Sequence, residues 1–60
     1  MHTELRITDA DAFYAALIGA HEGLSEADSA ALNARLVLIL ANQVGDLELL
    51  LECVSAARQA

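Results

Sequence analysis

From Ser25 to Asp46 the chain reads S-E-A-D-S-A-A-L-N-A-R-L-V-L-I-L-A-N-Q-V-G-D, with more apolar positions than one helix face can hold. At about 100° per residue, Ala27, Ala30, Ala34, Val37, Leu38, Ala41 and Val44 share one arc of mostly small side chains. The roughly opposite arc carries Leu32, Leu36, Ile39 and Leu40. Between them Asp28, Arg35 and Asn42, spaced seven apart and therefore nearly in line, form the cleanest polar strip. A surface helix has one apolar stripe, whereas a helix apolar nearly all round is covered on two sides. Ser25 is the expected N-cap and Gly45 the left-handed stop, so a helix is expected over 26–44.

Two shorter helices flank it. Thr8 or Asp9 opens the first, since Thr8-x-x-Asp11 is like a capping box and acids suit the positive end of the helix dipole. Phe13, Ala16, Leu17 and Ala20 form its stripe, with Tyr14 and Ile18 beside it. It is expected over about 9–22, ending at Gly23 with Leu24 folded back on Ile18 in the Schellman manner. Its alanines make it thin, which matches it to the small arc of the central helix and leaves the large arc to the third helix and a partner chain. Gly19, in mid-helix, is expected to allow close helix approach.

The third helix, about 47–58, is capped by Asp46 and carries Leu47, Leu50, Leu51, Val54 and Ala57 at i, i+3, i+4 spacing, with Leu49 and Cys53 on a second flank. Residues 1–8 read as a tail. Connections of two or three residues make neighbouring helices antiparallel. The fold class is therefore all-α: one domain, a short–long–short antiparallel three-helix bundle.

Size sharpens this picture. A 60-residue chain buries only about 60% of its unfolded surface, and its own core is marginal. The usual supports are missing: one cysteine, Cys53, allows no internal disulfide, and no Cys/His spacing fits a zinc site. The hydrophobic fraction is nevertheless 57%, above the roughly 45–50% of typical chains. Completion by oligomerisation or by docking on a larger protein is the support that remains.

Nine acids against three arginines and no lysine give a net charge of −6. That balance argues against nucleic acid and against anionic membrane surfaces as partners; it reads as a solubilising surface on a very apolar protein. The start has no apolar run, and Leu36–Ala41 falls far short of the ~20 residues of a membrane span. With a lone thiol, a cytoplasmic setting is expected.

Candidate chemistry is sparse. His21 and Glu22 are adjacent, so they point about 100° apart and read as a solvated helix terminus rather than an acid–base pair. Cys53 reads as a small hydrophobe on an apolar flank. The glycines form no phosphate loop, and no catalytic residue, metal site or cofactor is expected. Arg35 stands amid leucines, either with its stem over apolar surface or paired with a partner's carboxylate. Asn33 and Asn42 are candidate interfacial hydrogen-bonders. The expected interface comprises Leu32, Arg35, Leu36, Ile39, Leu40, Asn42, Leu50 and Val54.

The segments His21-Glu22-Gly23-Leu24-Ser25, Ser29-Ala30-Ala31-Leu32-Asn33-Ala34-Arg35-Leu36, Leu40-Ala41-Asn42 and Gly45-Asp46-Leu47 resemble a family of bacterial proteins of roughly this length, known only as a domain of unknown function. The resemblance spans about Asp11 to Ala57. Proteins of that family are often encoded beside flavin-dependent monooxygenases or other aromatic-degradation enzymes, so the resemblance implies an accessory role, with no catalytic residues to carry over. The leading expectation is a non-catalytic helical interaction protein, a homodimer or a small subunit docked on a larger enzyme. Two alternatives stand beside it. One is a small-molecule binder or enzyme with a pocket between protomers, using His21, Tyr14 or Cys53. The other is a regulator that binds a partner helix.

Overall fold

The structure, a computed structural model describing all residues from Met1 to Ala60, is all-α. Its helices are α1 (Ala10–Ala20), α2 (Glu26–Val44) and α3 (Leu47–Gln59). Each begins the same way, with a side-chain oxygen accepting the amide of the third helical residue. Asp9 accepts from Ala12 at 3.0 Å, Ser25 from Asp28 at 3.1 Å and Asp46 from Leu49 at 3.1 Å. Thr8 plays no part in capping α1.

α1 is shorter than expected because its last turn tightens. The His21 amide bonds to the Ile18 carbonyl and the Glu22 amide to Gly19, both i to i−3. A β-turn follows, closed by the Leu24 amide on the His21 carbonyl at 3.2 Å, with Gly23 at φ +76°. This turn stands where a Schellman closure was expected. It makes the α1–α2 connection five residues long, while Gly45 (φ +72°) and Asp46 alone join α2 to α3.

Residues far along both helices of each pair line one groove, so α1 and α3 each fold back over α2 without packing closely along it. Phe13, Ala16, Leu17 and Ala20 of α1 face Leu32, Arg35, Leu36 and Ile39. Leu50, Cys53, Val54 and Ala57 of α3 face Val37, Leu40, Ala41 and Val44. The expected pairing of arcs is therefore corrected. The large arc lies mostly towards α1 and the small arc towards α3. Two further expectations change with it. Nothing lies within 4 Å of a Cβ built on Gly19, so no helix approaches there. Leu47 and Leu51 turn outward, 69% and 58% exposed.

Residues 1–9 are not a free tail. The Met1 amine lies 3.3 Å from a Glu52 carboxylate oxygen, and the Cys53 thiol donates to the Met1 sulfur at 3.3 Å, so the segment runs back from α1 onto α3. Within it a hydrogen bond from the Glu4 amide, then one from the His2 ring, hold the exposed Glu4 carboxyl below its ordinary pKa.

No residue of the 60 is buried. The chain exposes 5223 Å², whereas a compact protein of 6.3 kDa has about 3,700 Å². Its radius of gyration is 13.0 Å, against about 10.4 Å for a compact chain of this length. The helices are well formed, but they are splayed rather than closed over a core.

Candidate functional site

The site is the apolar surface that the splayed helices leave open. The α1–α2 groove has a volume of about 340 Å³. Leu17, Leu32 and Leu36 form its half-buried floor; Phe13 and Ile39, 43% and 58% exposed, stand at its edges. Arg35 is its one polar lining residue. No carboxylate of the chain pairs with Arg35, since the ion pairs are Met1–Glu52 and His2–Glu4. The guanidinium is therefore available to a partner.

The α2–α3 groove is larger, about 570 Å³, and carries no charge at all. Leu40, Val44 and Val54 remain 46%, 49% and 66% exposed within it. Cys53 lines this groove and donates to the Met1 sulfur.

The eight residues expected at an interface are thus divided. Leu32, Arg35, Leu36 and Ile39 belong to the first groove; Leu40, Leu50 and Val54 belong to the second. Asn42 lines neither and makes no side-chain hydrogen bond. Asn33, read as a candidate for an interface, is occupied within the chain: its amide oxygen lies 3.1 Å from Nε2 of the half-buried His21. This bond ties the end of α1 to α2. It also gives His21 a positioning role that sequence reasoning missed, because the two residues are twelve apart and on different helices.

The arrangement can bury apolar surface and pair a charge. Ligand pockets combine an apolar lining with several convergent polar groups, and these grooves present only Arg35 and a thiol. No three His, Cys, Asp or Glu side chains converge on a common point. No helix is long and apolar enough to cross a membrane.

Across residues 1–59 the sequence matches the model of the family described as a protein of unknown function (DUF2783). The chain belongs to that family. No curated protein and no solved structure matches it. The DUF2783 match takes in all three helices and the N-terminal segment that reaches α3, so the open architecture as a whole lies inside the family's span.

Proposed function

We propose that the chain is a non-catalytic interaction module whose core is completed by a protein partner. That partner is a second copy, or a larger enzyme on which the chain docks as an accessory subunit, such as the flavin-dependent monooxygenases implied by the family resemblance. The observation that carries this reading is the absence of any buried residue in a chain that exposes Val37, Leu38, Ile39 and Leu40 consecutively at 46–72%. Single exposed apolar residues are ordinary, but these four encircle α2 in steps of about 100°, so apolar surface stays open on more than one side of the helix, as in a helix that is covered on two sides. The reading fits a cytoplasmic setting, where an unpaired thiol such as Cys53 is stable.

A small-molecule function is less well supported, because the grooves lack the polar groups that would orient a ligand. The test combines light scattering on the purified chain with recovery of bound proteins from the native host. The expected result is a stable self-complex, or a stoichiometric complex with one larger protein. A helical monomer of about 6 kDa with a sharp unfolding transition, weak binding of a dye for apolar surface and no recovered partner would overturn the reading.

A further inference from the structure

Taking the interaction reading as its basis, we infer that the partner of α2 is a second copy of this chain. The two α2 helices run antiparallel, with Asp28 of each copy against Arg35 of the other. Asp28 and Arg35 lie on one line of α2 and are seven residues apart, a separation of about 10.5 Å along the axis. They cannot pair with each other, and neither forms an ion pair elsewhere in the chain.

A line bearing one acid and one base is self-complementary under a two-fold axis perpendicular to the helix. Reversing a second copy brings each acid opposite the other chain's base and creates two equivalent contacts, the signature of an isologous interface. Arg35 and Ile39 stand at the edge of the α1–α2 groove, and the flank of the line away from α1 is bare in the single chain. Leu38 beside this line is 72% exposed and Ile39 is 58% exposed, and Leu38, Ala31 and Asn42 line neither groove.

Net charge does not oppose this pairing. Six of the acids are helix caps or first-turn residues: Asp9, Asp11, Glu26, Asp28, Asp46 and Glu48. From Ser29 to Gly45 the only formal charge is Arg35. The one acid brought to the α2 face, Asp28, is the one matched by a cation. Electrostatic repulsion between copies therefore acts at the periphery, where salt screens it.

Area allows the same occupant. Two chains that expose 5223 Å² each would lose about 3,000 Å² in all by closing individually to about 3,700 Å², and one compact body of twice the mass has about 6,200 Å². The contact between copies is therefore left about 1,300 Å², at the lower end of specific interfaces.

The test is a charge exchange in the full chain, read by sedimentation and by helicity at fixed protein concentration. Asp28→Arg alone and Arg35→Asp alone each set like charges at both contacts, and each should weaken self-association at least tenfold. The chain carrying both substitutions restores opposite charges and should recover the wild-type dimer. An equimolar mixture of the two single variants should form a heterodimer, since that pairing places opposite charges at both contacts. Recovery in the mixture excludes a folding defect as the cause of the loss. Wild-type association that survives both single variants, or a mixture that stays dissociated, would overturn the α2 pairing. A wild-type chain that is monomeric alone yet binds a larger protein tightly would overturn the second copy and leave the interaction reading standing.

Discussion

Gly45 holds the left-handed backbone that ends α2, and Gly19 does nothing comparable. A Cβ on Gly45 would meet only the Asn42 carbonyl at 3.9 Å, so the cost of Gly45→Ala is conformational, about 1 kcal/mol at φ +72°. Gly19 lies in the helix interior with open space around it. Gly19→Ala should therefore stabilise the fold by roughly 0.5–1 kcal/mol. Thermal unfolding of the two variants at one concentration checks both signs; a destabilised Gly19→Ala chain would mean that another surface packs on that position. The His21–Asn33 bond is testable by a double-mutant cycle with alanine. A half-exposed hydrogen bond between helices should show a coupling of about 0.5–1 kcal/mol. Glu4 carries the pH signature. Its folded pKa is lowered, so its favourable contribution is present above the unfolded carboxylate pKa and is lost as pH falls through the folded value. An NMR titration should place its midpoint below that of a model peptide, and His2→Ala should move it part of the way back.

At the scale of elements, the helix punctuation was legible in the residues because caps act locally. Ser25, Gly45 and Asp46 do in space what their chemistry requires. The assignment of neighbours was not legible. A helical wheel shows which faces of α2 are apolar, but the choice of face for α1 is made by the connection. The β-turn at Gly23 and the His21–Asn33 bond set α1 over Leu32 and Leu36, and the thinness of α1 has no say in that. The same limit applies to the candidate site. The residues Leu32, Arg35, Leu36 and Ile39 could be picked out as an apolar face with one cation, while their division from Leu40, Leu50 and Val54 into two grooves depends on helix placement. This yields a contrast between neighbours. Leu36 is half-buried beneath α1 and Leu38 is 72% exposed. In an isolated chain Leu36→Ala should cost about 1–2 kcal/mol and Leu38→Ala almost nothing. If α2 pairs with a second α2 in the Asp28–Arg35 register, Leu38 falls opposite Ser25 at the edge of the overlap, and Leu38→Ala should then cost a measurable fraction of what Leu36→Ala costs. Unfolding midpoints measured side by side separate the two cases.

For the molecule as a whole, stability and association are expected to be one quantity. A chain with no buried residue has little to offset a conformational entropy cost of roughly 1–2 kcal/mol per ordered residue. The surface it must still bury lies between chains. If the unit that unfolds is a dimer, its unfolding enthalpy is that of 120 residues, about 84 kcal/mol near 60 °C at ~0.7 kcal/mol per residue. Mass action then raises the melting temperature with concentration, and this enthalpy corresponds to about 6 °C for each tenfold increase in protein. Helicity followed by circular dichroism from micromolar to hundred-micromolar protein should show that slope. Its loss should coincide with dissociation measured by light scattering, because a single chain with no buried residue has little to hold its helices together. Leu36→Glu or Ile39→Glu should remove oligomer and helicity together. A melting temperature independent of concentration would mean that the splayed helices hold themselves, and the open grooves would then lose their role as the place where folding is completed.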